Sequence, residues 1–264
     1  MARTPLSLDI LRDPNTFIVP PRPPLRRPPG PLKLGPHFCK PTYPSHPTRF
    51  RFRTRIIYAT ASPADSVHQN VLRLYIQPSL VQQLIESLVN VLPSPAQIWL
   101  ESCFPEWTLP PRLVLKQQKE GWDEEFEMEK ATYTKLRSLQ DVVIPRCFGE
   151  LKYENKRALL LSDIGGACLA TAEGGLLEVA DFRRMLRQAL DALAPFGISQ
   201  DDNKLDNYHV VGDKIMAVDL ERVNVGLTPE IVSLHVDSTV KGLTQRYEDT
   251  QYDLWDSGLI AIDK

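Results

Sequence analysis

Hydrophobic and polar positions alternate with period two over residues 49–59, where Phe50 and Phe52 sit between arginines before an apolar run begins. That alternation predicts a strand with one buried face. Aromatic rings set between arginines can also stack nucleic-acid bases, so both readings stand at this point. VLRLYI (71–76) predicts a second strand. Over residues 79–92 the period changes: Leu80, Leu84, Leu88 and Leu92 recur at every fourth position, with Val81, Ile85 and Val89 alongside. This is the pattern of an amphipathic helix, and Pro-Ser-Pro closes it. QIWLES (97–102) reads as strand, and Leu113-Val114-Leu115 reads as another that ends on Lys116.

A helix follows over 122–139, with Phe126, Tyr133 and Leu136 on one face. Glu129 falls inside that apolar stripe, where a carboxylate is costly unless a cation meets it. Strands are predicted around 148–153 and 157–161, joined by the turn-forming Glu-Asn-Lys, and SDIGG (162–166) forms a connector. Residues 181–194 give the clearest helix: Phe182, Met185, Leu186, Ala189, Leu190 and Leu193 form its stripe, Asp181 serves as N-cap, and Pro195 with Gly197 ends it. YHVV and KIMAV flank Gly212-Asp213 as a hairpin, and the second arm delivers Asp219. Between helix and hairpin, SQDDNKLDN crowds Asp201, Asp202, Asp206 and Asn207 around Lys204.

Charge changes the picture at the N-terminus. Residues 1–55 hold 11 Lys/Arg against 2 Asp/Glu, and 13 of the 23 prolines lie within the first 49 residues. Residues 1–48 are therefore expected to be a disordered, basic, partly polyproline arm. Such an arm offers an SH3-type ligand or an electrostatic tether to nucleic acid or an acidic partner. The whole chain of 264 residues is 42% apolar, enough for one domain or two small lobes. The four cysteines are scattered without a CxxC pair, which argues against zinc ligation and a disulfide framework. No run of about 18 apolar residues is present, and the N-terminus lacks an apolar signal core. An intracellular protein, cytoplasmic or nuclear, is the expectation.

GISQDDNKLDNYHVV (197–211) and IMAVDLERV (215–223), with the lysine-ended strand and the inward glutamate before them, resemble the protein-kinase-like superfamily. The text is most similar to small fungal kinase-like and phosphotransferase proteins that write this region GVSHDDxKLDN…VVDLE. The likeness covers roughly residues 95–225. It implies an α+β, two-lobed protein-kinase-like fold with an N-lobe over about 49–162 and a reduced C-lobe over about 167–264. It also implies an ATP- and Mg²⁺-dependent phosphotransferase acting on a protein or small-molecule acceptor.

By the same resemblance Lys116 contacts the nucleotide's α- and β-phosphates, and Glu129 holds Lys116. Asp202 accepts the proton of the attacking hydroxyl, Lys204 steadies the transferring phosphoryl group, and Asn207 and Asp219 hold Mg²⁺. Adenine lies near the 161–165 connector with Asp163. The chain also departs from the pattern. No GxGxxG precedes Lys116, so a phosphate-covering loop is absent, altered or hidden within 56–104. Gln200 stands where the family has a histidine that props the loop, a tolerable loss. Leu220-Glu221 replaces Phe-Gly, which is more similar to the Asp-Trp-Glu of small-molecule phosphotransferases than to the protein kinases. Only 45 residues follow Asp219, too few for an ordinary peptide-docking platform. The alternative reading is a pseudokinase that binds a nucleotide or partner without turnover.

Overall fold

Strands dominate the first part, and helices the second, of residues 30–66 and 68–263, which the computed structural model describes. The chain begins with β1 (Leu32–Leu34), β2 (His46–Phe52), β3 (Arg55–Pro63) and β4 (Val71–Ile76). Helices α1 (Leu80–Asn90) and α2 (Ser94–Cys103) then precede β5 (Arg112–Gln117) and α3 (Asp123–Lys135). Next come β6 (Cys147–Tyr153), β7 (Lys156–Ser162), β8 (Ala167–Cys168) and α4 (Val179–Leu193). The last elements are β9 (Ser199–Gln200), β10 (Tyr208–Val211), β11 (Lys214–Ala217), β12 (Val223–Asn224), α5 (Pro229–Asp256) and β13 (Ile260–Ile262). The class is α+β.

The main sheet has six strands in the order β2-β3-β4-β5-β7-β6, every neighbour antiparallel. Its turns use residues suited to them. Glu154 and Asn155 both take positive φ (49° and 63°) between β6 and β7, the geometry of a tight hairpin turn that asparagine tolerates. The sheet curls until its two edges meet: the Thr48 and Tyr153 hydroxyls lie 2.9 Å apart, and the Phe50 and Tyr153 rings pack edge to face at 6.2 Å. Phe52, Ile57, Ala61, Leu74, Leu113, Leu115 and Leu160 fill the interior. Because side chains alternate across a strand, the intervening residues of β5 and β7 face outward.

That outward face meets a second apolar cluster built from α3, α4 and α5. Phe182 on α4 stacks on Tyr247 of α5 with centroids 4.2 Å apart and planes 2° apart. The Tyr247 hydroxyl donates to the Gly174 and Leu177 carbonyls at 2.8 and 3.0 Å. Among the described residues all four cysteines are free, and no helix is long and apolar enough to cross a membrane.

Several sequence expectations are corrected. Residues 97–102 are helix, not strand: Pro93 is the N-cap of α2 and Pro95 lies in its first turn, where a missing N–H costs nothing. The α4 helix starts at Val179, so Asp181 lies in its first turn and is not the N-cap. On α1, Val81, Leu84 and Leu88 are exposed, while Gln82 is buried and accepts from the Arg55 guanidinium. The arm expected over 1–48 lies partly outside the described residues. Its last part is ordered: β1 sits between Pro31 and Pro36 and pairs antiparallel with β13, and β2 begins at His46. The prolines flank these strands or lie at an edge, where a missing donor is tolerated.

Replacing Phe182 by Ala removes a side chain of 0% exposure from the joint between α4 and α5. Urea denaturation is expected to show a loss of about 3–5 kcal/mol. A loss below about 1 kcal/mol would contradict this packing.

Candidate active site

Lys116 is on the outer face of β5, between Val71 of β4 and Leu159 of β7. Its long stem crosses apolar surface, and only 7% of the residue remains exposed. A buried ammonium needs partners, and three carboxylates supply them. Nζ lies 2.9 Å from Glu129 Oε1, 2.9 Å from Asp219 Oδ1 and 3.1 Å from Glu221 Oε1. Burial by itself would lower the Lys116 pKa, but the three negative charges outweigh it and hold the group well above its ordinary value.

Glu129 is on the face of α3 that also buries Phe126, Thr132 and Tyr133. Burial pushes its carboxyl upward, and the Lys116 charge pulls it back. Asp219 is positioned by its backbone. The Gln200 side chain donates to the Asp219 carbonyl at 2.7 Å, and the Glu221 N–H donates to Oδ1 at 3.0 Å. Its carboxyl is held below the usual range: burial opposes this, but Lys116 prevails. Lys119 closes the far side, 2.7 Å from Glu221 Oε2 and 4.5 Å above the Trp122 ring.

The crowded loop lies next to this cluster. The Val218 N–H donates to the Asn207 carbonyl at 2.9 Å, so Asn207 is tied to the residue before Asp219. Asn207 Nδ2 donates to the Asp202 carbonyl at 2.7 Å, which leaves Oδ1 free of that bond. Lys204 Nζ and Asp202 Oδ2 form an exposed pair at 2.7 Å. The short β9–β12 pairing, Gln200 opposite Val223, clamps the start of the loop to the segment after Asp219.

The structure therefore joins Lys116, Glu129 and Asp219 in direct contact and ties Asn207, Asp202 and Lys204 to the adjoining loop. Asp163 stands apart. Its Oδ1 accepts the Gly165 N–H at 3.0 Å and closes the connector's own turn. Gly166 follows at φ 71°, where a Cβ would lie 2.2 Å from the Val210 carbonyl oxygen, so a bulkier residue is excluded there. Glu221 and Lys119 were not picked out as site residues from the sequence. Glu221 entered the sequence reading only through the likeness of Asp219-Leu220-Glu221 to the Asp-Trp-Glu of small-molecule phosphotransferases, with no role of its own, and that likeness was the available signal. Gln200, read from sequence only as the loss of a propping histidine, bonds the Asp219 carbonyl directly, although Gln200 Oε1 is buried without a hydrogen-bond partner.

The ligand atoms of Glu129, Asp219 and Glu221 lie within 4.8 Å of one another, a grouping that could hold a metal ion. Here the Lys116 ammonium stands among them as the neutralising cation. The connection between β3 and β4 contains Asp65, His68 and Asn70 and no glycine. It reaches the Lys116 end of β5, where Asn70 Nδ2 donates to the Gln117 carbonyl at 3.0 Å.

Lys116→Met would leave Glu129 buried with its cation gone, a change that costs about 3–5 kcal/mol for a broken buried pair. The sign with pH follows from the raised Glu129 carboxyl. An acid whose folded pKa exceeds its unfolded value stabilises the fold most below the unfolded value, and that benefit is lost as pH rises through the folded one. The Tm deficit of Lys116→Met is expected to be small at about pH 5 and larger at about pH 8. A deficit that is flat between these values would show that Glu129 is not the group left stranded.

A scan against known protein-family models gives no match, and a search among curated proteins finds no relative.

Proposed function

We propose that the chain is an ATP- and Mg²⁺-dependent phosphotransferase of protein-kinase-like type, with a two-lobed fold and a reduced C-terminal lobe. One observation carries this reading: a buried lysine on a sheet strand, a helix glutamate and a post-hairpin aspartate converge within 2.9 Å contacts. Their order along the chain and the adjoining Asp202-x-Lys204-x-x-Asn207 loop agree with the roles implied by the sequence resemblance.

The residues suit a magnesium nucleotide. Asp219 and Asn207 offer hard oxygen donors, and the Asn207 carbonyl is bonded to the residue before Asp219; magnesium prefers such ligands with several retained waters. Bound there, the ion would neutralise charge on the triphosphate. Lys116, held by Glu129, would face the α- and β-phosphates. Asp202 would take the proton of the acceptor hydroxyl, and Lys204 would steady the phosphoryl group in flight. The Lys204–Asp202 pair is exposed; pairs of that kind contribute about 0–1 kcal/mol and open readily to substrate. The β3–β4 connection is the candidate cover for the phosphates, and the connector with Asp163 is the candidate seat of the base.

A second reading, a pseudokinase that binds without turnover, draws on the same cluster. Lys116 is engaged by Asp219 and Glu221 as well as Glu129, so phosphates must compete with two carboxylates.

ATP turnover with Mg²⁺ separates the readings. Asp202→Ala and Asp219→Ala are each expected to lower turnover by about two orders of magnitude or more. Equal background rates in the wild type and both variants would remove the enzyme reading. A Tm rise on adding magnesium nucleotide without turnover would favour the binding module.

A further inference from the structure

The outer face of the curled sheet, which carries Lys116, continues away from the site across β4, β3 and β2. Register places its residues. Arg49 is opposite Tyr58 and Arg51 opposite Ile56 across β2 and β3. Tyr75 is opposite Thr60 and Arg73 opposite Ser62 across β3 and β4, and Arg112 is opposite Tyr75 on β5. Directly opposed residues of an antiparallel pair point to the same side. Their strand neighbours Phe50, Phe52, Ile57, Leu74 and Ile76 all point into the core, so the alternation commits the arginines and tyrosines to one surface.

Two properties of that surface are unusual. Its apolar centre is open, with Ile56 57%, Tyr58 55% and Tyr75 58% exposed. Large apolar groups that stand together in water mark a binding site more often than a bare surface. The strands themselves carry charge of a single sign, since none of the four, β2, β3, β4 and β5, contains an Asp or Glu. Among the described residues Arg49, Arg51, Arg73 and Arg112 make no ion pair with a carboxylate. The excess of basic residues over 1–55 extends the same sign along the chain.

The geometry points to a binding surface for single-stranded nucleic acid, in which Tyr58 and Tyr75 stack bases and the four arginines take backbone phosphates. A polyanion is the partner that cations without counter-charges complement. The two rings narrow the choice. Tyr58 and Tyr75 are diagonal cross-strand neighbours, about 7–8 Å apart, close enough to take two bases of one strand. A duplex hides its base faces in its own stack, and an acidic peptide has no flat faces to offer, so a single strand is the occupant that uses both features. This surface does not depend on phosphoryl transfer at Lys116.

Fluorescence anisotropy of the full chain with labelled 12-nucleotide oligouridine, oligothymidine and a 12-base-pair duplex tests the proposal. Both single strands are expected to bind better than the duplex, and tighter binding of one supports the surface and identifies RNA or DNA as its source. On log–log axes affinity should fall with salt at a slope of about −3, at about 0.7 per phosphate neutralised. Tyr58→Ala with Tyr75→Ala is expected to weaken single-strand binding by about tenfold or more at unchanged slope. The corresponding Phe pair should restore it, with thermal melts confirming the fold of each. Arg49→Ala with Arg51→Ala should make the slope shallower by about 1.4. Equal affinity for duplex and single strand, or wild-type affinity in the alanine tyrosine variant, would overturn the proposal and leave only general polyanion attraction.

Discussion

A single buried ammonium sets the terms for the rest of the molecule. Lys116 cannot remain charged behind the sheet unless carboxylates reach it, and the three that do come from α3 and from the segment beyond β11. The sheet and the helical cluster are therefore joined by charge as well as by apolar packing. Drift of either α3 or the Asp219 segment would remove part of the negative charge that keeps the buried Lys116 ammonium compensated. Glu221 and Lys119 extend the balance outward, so the site grades from a locked interior to an adjustable rim.

That gradient suits chemistry. The inner members, Lys116 and Glu129, are almost wholly buried. The outer pair, Asp202 and Lys204, is exposed and held by one salt bridge. Interior groups fixed by packing give a site its geometry, whereas groups at the rim can exchange partners when a substrate arrives. The β9–β12 pairing and the Gln200 bond to Asp219 connect the two levels and tie the loop that carries Asp202 to the segment that carries Asp219.

The sheet serves two ends through one alternation. Residues pointing inward close an apolar core where β2 meets β6. Residues pointing outward form the Lys116 cluster at one end and a field of arginines and tyrosines at the other. Phe50 and Phe52, which in sequence look like rings available between arginines, are 5% and 1% exposed. The rings that share a face with those arginines are Tyr58 and Tyr75, contributed by the neighbouring strands.

Periodicity alone determined much of this protein. The strand over 71–76, the lysine-ended strand, the β6–β7 and β10–β11 hairpins and the α4 stripe all follow from local alternation, and Glu129 was marked by being a carboxylate in an apolar stripe. The single strand expected over 49–59 is instead the ends of two, β2 and β3, which turn at Arg53 (φ 51°) and pair antiparallel. Local pattern misled at 97–102, where prolines start a helix, and at β1, whose partner strand lies at the other end of the chain. It also passed over α5, although Val232, Val236, Val240, Leu243 and Tyr247 trace a buried face. Tertiary structure alone decided that Glu221 reaches Lys116 and which aromatics accompany the arginines. The reason is physical: a strand's own sequence settles which of its side chains share a face, but only strand pairing and chain closure settle what lies opposite that face.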